Sequence, residues 1–152
     1  VLSAKGLTLL ELLMVLALVG IVAGIGFVNF RSLGGDVTNG AHQLAGGFKQ
    51  ARARAMASTS AYRLVYLSPS ELRAEWARNC AGEGGWAVDP RFKLELPSNV
   101  VIHEVVNPLG TDVVLCFNSR GLADANPTLH LRDAEGRAAE VEVLIGGAVE
   151  VR

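Results

Sequence analysis

The chain contains no HExxH, no GxSxG, no phosphate-binding loop and no paired-cysteine zinc spacing. The familiar sequence signatures of a metalloprotease, a serine hydrolase, a nucleotide-binding domain and a zinc domain are therefore missing. His42, His103 and His130 are scattered along the chain, and the last two stand among alternating apolar neighbours, as ordinary strand residues do. Ser119 and Asp124 lie near each other, but no third member of a catalytic group can be argued. The aspartates between 124 and 133 do not have the spacing of a calcium loop and read as solvated turn residues. No cofactor, metal or small-molecule substrate is expected, and the chain reads as a non-enzyme. Charge of one sign is lacking too: 14 basic residues face 15 acidic ones, a net charge of −1, so there is no bulk field to draw nucleic acid or anionic lipid. The two cysteines, Cys80 and Cys116, are too few for a disulfide-dense scaffold and neither sits in a CxxC motif. Two readings of them stand: a bridge formed after export, or a buried strand thiol at Cys116 with a loop thiol at Cys80.

What the chain has in excess is apolar residues, and they are unevenly placed. Half of its 152 residues are hydrophobic and the mean hydropathy is +0.32. Between Leu7 and Phe30 only Thr8, Glu11 and Asn29 are neither apolar nor glycine. As a helix these 24 residues extend about 36 Å, enough for a hydrocarbon core of about 30 Å. The run is too long for the core of a secretory signal peptide, and no polar, small-residue cleavage region follows it. A plain anchor fits the length; a carboxylate inside an apolar span costs about 2.5–3.5 kcal/mol near its middle, so in that reading Glu11, one turn in, snorkels to the interface. Lys5 ahead of the run favours a cytoplasmic start, and Arg31 beyond it weakens that asymmetry. Gly20 and Gly24 form a GxxxG pattern that lets helices approach closely, although glycine is also simply common in membrane helices. No proline interrupts the run.

The stretch Lys5-Gly6-Leu7-Thr8-Leu9-Leu10-Glu11-Leu12-Leu13 resembles the class III signal of type IV prepilins and type II secretion pseudopilins. The shared order is a basic residue, a glycine, a large apolar residue, threonine, two apolar residues, and a glutamate opening a long apolar helix. The resemblance implies that a prepilin peptidase cuts between Gly6 and Leu7 and methylates the new amine of Leu7. Leu7 stands where the family usually has phenylalanine. It further implies that Glu11 meets the α-amine of a neighbouring subunit, which makes a carboxylate in an apolar setting tolerable and sets the axial register. The implied life cycle is that of a single-pass inner-membrane protein with its body in the periplasm, later packed with other pilins or pseudopilins in a helical filament. The absence of proline from the helix leans toward a minor subunit.

The remaining chain reads as one body. The expected division is a leader at 1–6, a transmembrane and assembly helix at 7–33 and a globular domain at 34–152. Gly34-Gly35 break the first helix, and Asp36 is a candidate N-cap for a second helix over about 36–58. There Val37, Ala41, Leu44, Phe48, Ala51 and Ala55 form one apolar stripe, while Lys49, Arg52 and Arg54 lie off it and read as a solvated face. Gly40, Gly46 and Gly47 weaken this helix, so packing must hold it. Period-two alternation then predicts strands around 62–66, 72–76, 92–96, 100–106, 113–117, 128–132, 138–145 and 148–151, with a loop over 79–90 and a hairpin turn at Asp133-Ala134-Glu135-Gly136. The fold class is α+β, a long N-terminal helix with a transmembrane half and an amphipathic half packed on antiparallel sheet. Three looser motifs, Phe48-Lys49-Gln50-Ala51-Arg52-Ala53-Arg54-Ala55, Phe117-Asn118-Ser119-Arg120-Gly121 and the strand closing after Gly146-Gly147, resemble the H-type minor pseudopilins and the FimT/FimU-like minor pilins. The resemblance implies a structural subunit of a type IV pilus or its tip complex, or else of a type II secretion pseudopilus. A DNA-capturing subunit is the rival of another class. DNA binding is not expected, because the closing segment to Arg152 has no cluster of cations for phosphate contacts.

Overall fold

The structure is a computed structural model that describes residues 9–30, 35–81, 84–110 and 112–152. The chain divides into two compact units, residues 1–35 and 36–152. The first contains helix α1, Leu9–Phe30. The second contains helix α2, Asp36–Ser58, followed by nine strands. These are β1 Ala61–Ser68, β2 Glu71–Ala77, β3 Ala87–Val88, β4 Leu94–Glu95, β5 Val100–Val106, β6 Val113–Phe117, β7 Thr128–Asp133, β8 Ala138–Val143 and β9 Val149–Val151. All pairings are antiparallel, and they make two sheets. One runs β3-β2-β1-β6, with β4 also on β2, and the other runs β5-β7-β8-β9.

The apolar stripe of α2 is the reason for the core. Val37, Ala41, Leu44, Phe48, Ala51 and Ala55 are all buried, and they join Leu64, Leu72, Leu115 and Phe117 of the first sheet and Leu129, Leu131, Val141 and Val143 of the second in one cluster. A single helix thus serves two sheets. Its glycines divide by position. A Cβ at Gly40 would stand 2.8 Å from Val100 Cγ1, and one at Gly47 would press on the Leu94 methyls, whereas Gly46 has open space. At two of the three sites the loss of helix propensity is exchanged for close approach of a strand.

The helix stops at a Schellman-type cap. The Ser60 N–H donates to Ala55 O at 3.1 Å and the Thr59 N–H to Met56 O at 3.3 Å, with Thr59 left-handed at φ 50°. Glycine is the usual residue at that position.

The strands depart from the alternation pattern in three places. The expected loop over 79–90 contains β3, which pairs with β2 through Glu75↔Val88 and Trp76↔Ala87. Only Leu94–Glu95 of the expected strand 92–96 is laddered, although Phe92 and Leu96 are buried beside it. The strand expected over 138–145 ends at Val143, leaving Ile145 exposed. In each case hydrogen-bond pairing follows the partner strand, which the residue pattern of a single segment does not reveal.

Candidate assembly surface

Every described side chain of α1, from Leu9 to Val22, is exposed. Among them are Leu9, Leu10, Leu12, Leu13, Met14 and Leu16, each more than half exposed. So long an unpartnered apolar surface is unfavourable in water and marks a face meant for lipid or other protein. The helix is 22 residues and about 33 Å long. Its described side chains stop at Val22, and across the described residues no helix is long and apolar enough to cross a membrane. Glu11 lies in the first turn of α1, on the same exposed surface, and is engaged in an interaction there. Gly20 has open space where a Cβ would be, and Gly24 falls within the same helix. Gly6 and Leu7 lie outside the described residues.

In the body, the three motifs that the sequence left far apart meet at one arginine. Arg52, from the middle of α2, donates through Nε to Gly121 O at 2.9 Å and through Nη2 to Gly146 O at 3.4 Å. Gly121 and Gly147 are both left-handed, at φ 75° and 79°, and both are packed on this contact. A Cβ at Gly147 would lie 2.6 Å from Arg52 Nε and would press on the Gly121 carbonyl, and one at Gly121 would lie 2.8 Å from Met56 Sδ. The Ala123 N–H, bonded to Ile145 O at 3.0 Å, closes the same junction. Arg52 is thus a structural tie. Arg54 is a second: it pairs with Asp89, donates through Nη2 to Arg91 O at 3.2 Å and lies 5.8 Å from the Phe92 ring centroid. The expected solvated basic face is corrected on these two residues. They lean from the helix onto loops that residue pattern cannot place, and of the three only Lys49 is exposed.

Cys80 and Cys116 form a disulfide with Cα atoms 6.0 Å apart. Its setting follows from register. Arg63 on β1 pairs with Glu75 on β2 and with Cys116 on β6, so these three stand abreast on one face. The core holds Tyr62 and Leu64, their neighbours on the opposite face. Glu75 is buried and carries two guanidinium groups, from Arg63 Nη2 and Arg73 Nη2, each at 2.6 Å. Arg63 is in turn covered by Trp86, 4.3 Å from ring centroid to Cζ. Cys80, bonded to β6, and Trp86, lying over Arg63 of β1, thus both stand on this face, just ahead of β3 on β2. The segment that carries them is a flap stapled over the outer face of the first sheet.

The aspartates of the 124–133 region act locally. Asp124 Oδ1 accepts the Cys116 N–H at 2.7 Å, and burial nonetheless pushes its carboxyl up from the ordinary value. Asp133 is not the solvated turn residue expected. Its side chain is fully buried, accepting N–H groups of Glu135 and Arg137 and the Arg137 Nε at 2.6 Å. Burial pushes its carboxyl up, but the Arg137 and Glu135 contacts outweigh that and hold it below the usual carboxylate range. Gly136 supplies the left-handed turn residue at φ 81°. Among the described residues one group of three ligand-type side chains is gathered, Cys80, Cys116 and Asp124, and its two sulfurs are bonded to each other. His130 Nδ1 lies 3.2 Å from Glu140 Oε1 across β7 and β8, and His42 and His103 are exposed on α2 and β5. At the end of the chain Arg152 is paired with Glu142 and Glu150 at 3.1 and 3.0 Å.

No protein-family model matches the chain, and no curated protein sequence matches it. Solved structures do share its fold. The minor pseudopilin EpsH from the type 2 secretion system of Vibrio cholerae superposes with a TM-score of 0.58 at 11% identity, covering 76% of this chain and 94% of that one. A second structure of EpsH gives 0.57 at 12%, covering 78% and 94%. The type IV minor pilin FimU of Pseudomonas aeruginosa gives 0.57 at 14%, covering 76% and 87%. The fold is the α+β fold of these minor pilins and pseudopilins, with α2 packed on antiparallel sheets.

Proposed function

We propose that the chain is a minor subunit of a type IV pilus-class filament, a structural part and not a catalyst. The observation that carries this reading is α1: a helix whose described side chains are all exposed and nearly all apolar, with one carboxylate, Glu11, a single turn in. A body with the fold of EpsH and FimU follows it. A prepilin peptidase would cut after Gly6 and methylate Leu7, and Glu11 would then pair with the amine of the adjacent subunit in an apolar, weakly screened setting. Before assembly the helix would hold the subunit in the inner membrane with the body in the periplasm, where a disulfide persists. Gly20 and Gly24 would let neighbouring helices come close.

The likeness in fold is equal toward the pilus and the secretion machine. The lean toward a pilus, at its shaft or tip, rests on the FimT/FimU-like closing strands and on the absence of a calcium-type loop spacing from the sequence. DNA capture is the weaker reading, since Arg152 is held by two carboxylates and phosphate contacts need clustered cations.

The test is direct. Intact-mass analysis of the native subunit is expected to give a chain beginning at methylated Leu7, and any other start removes the processing assignment. Glu11→Ala is expected to be cut normally and to fail in assembly. Deleting the chain is expected to reduce piliation or twitching and to leave bulk secretion unchanged. Loss of secretion with intact pili would move it to the other machine.

A further inference from the structure

The two sheets contain three register shifts, in three different strand pairs. One lies between Tyr66 and Ser68 on β1 against β2, one between Leu64 and Val65 on β1 against β6, and one between Ile102 and Glu104 on β5 against β7. Each places a flanking or passed-over residue on the same cavity. Tyr66 lines it. So does Val114, which the β1–β6 ladder passes over, and so does His103, passed over on β5. Beside it Asn107 is left-handed at φ 54°, turning the chain into Pro108, another wall. A bulge re-aims side chains and bends its strand. Three converging on one hollow, at the seam of two sheets, make it a built feature of the body.

The chemistry of the cavity is specific. It is open to solvent on one side and offers about 210 Å³, less than the roughly 300–1,000 Å³ of pockets for drug-sized ligands and of a size for one long side chain. Ile102, Val105 and Val113 supply apolar walls, and Glu104 and Asp112 supply carboxylates. Both belong to exposed residues at the mouth, and neither carboxylate takes a hydrogen bond or ion pair among the described residues, whereas the buried Glu75, Asp89 and Asp133 each hold an arginine.

We propose that this cavity receives one arginine side chain presented by a neighbouring subunit of the filament. Its aliphatic stem would lie along the apolar walls, and its planar guanidinium would bridge the two carboxylates through several donors, which an ammonium group does less well. The source of the arginine rests on the filament reading above. The preference of the cavity for a guanidinium does not.

The test uses the full-length chain in detergent micelles, followed by NMR of the His103 ring and the Val113 and Val114 methyl groups. N-acetyl-argininamide is expected to shift these signals saturably. N-acetyl-citrullinamide, the uncharged isostere, is expected to bind at least about tenfold more weakly. The Glu104→Gln/Asp112→Asn double variant, with its thermal midpoint unchanged, is expected to lose the response. No saturable shift up to about 50 mM, an equal response to the citrulline probe, or full binding by the double variant would each overturn the inference. Those results leave the filament reading standing, because that depends on Leu7 and Glu11. If the probe binds and the double variant still assembles as the parent does, the neighbouring-subunit occupant is refuted.

Discussion

At the scale of single residues, the body is held by a few polar ties whose loss has calculable consequences. Thr59 is β-branched and left-handed at φ 50°, a conformation that costs non-glycine residues about 1–2 kcal/mol. Thr59→Gly relieves that strain and gives back part of it as chain entropy in the unfolded state. A gain of about 0.5–1 kcal/mol is expected in urea denaturation, and a loss would mean that the cap is not strained. Arg52→Ala leaves the Gly121 and Gly146 carbonyls without their donor and is expected to cost about 1–3 kcal/mol. Arg52→Lys, which keeps the charge but not the fork, is expected to recover less than half of it. Asp133 gives a pH signature. Its carboxyl titrates lower in the folded chain than in the unfolded one, so its contribution is present above the unfolded value of about 3.9. That contribution is lost as pH falls through the lower folded value. Thermal midpoints measured downward from pH 5 are expected to fall more steeply for the parent than for Asp133→Asn. Parallel curves would show that Asp133 titrates alike in both states.

At the scale of elements, the flap is the piece that depends on covalent chemistry. Its disulfide joins residues 36 apart in sequence, and closing a loop of that size contributes about 2–4 kcal/mol. The paired Cys80→Ser/Cys116→Ser variant is expected to lose about that much and to release Trp86 from Arg63, read as a red shift and stronger quenching of tryptophan emission. An unchanged spectrum would mean that the ladder of β3 on β2 alone holds the flap. The helices and the long strands were legible in the sequence because their signals are local: a 3.6-residue stripe in α2, and alternation in β1 and β2. The hairpin at Asp133–Gly136 was legible from turn chemistry. The flap was not, since β3 has two residues and its face is set by the register of β1 between β2 and β6. The Arg52 junction was half legible. Its three motifs stood out separately, and only the fold joins them across separations of 69 and 94 residues. The arginine-type cavity left one trace, the polar pair His103-Glu104 interrupting the alternation of β5. A bulge in that position cannot be told from a solvent-facing pair without its partner strand.

At the scale of the whole molecule, the body folds around one helix that serves two sheets, so its core is indivisible. Phe48, fully buried between both sheets, is expected to be among its most sensitive positions. Phe48→Ala is expected to cost about 3–5 kcal/mol, and urea curves followed by tryptophan emission and by far-ultraviolet circular dichroism are expected to remain coincident. Two separate transitions would instead mean that each sheet melts alone. The same indivisibility bears on biogenesis. The chain lays β1 to β4 in the first sheet, β5 in the second, β6 back in the first and β7 to β9 in the second. The first sheet waits for Phe117 and the second for Val151. Such non-local pairing makes folding slow and late. During vectorial delivery of the body from its N-terminal side, α2 would emerge first with its apolar stripe uncovered, and it would stay so until the last strand had arrived. On the filament reading, translocation would then come wholly before folding, and a chain stalled partway would be left as an open substrate for proteases or holding chaperones instead of as a half-built subunit able to enter a filament.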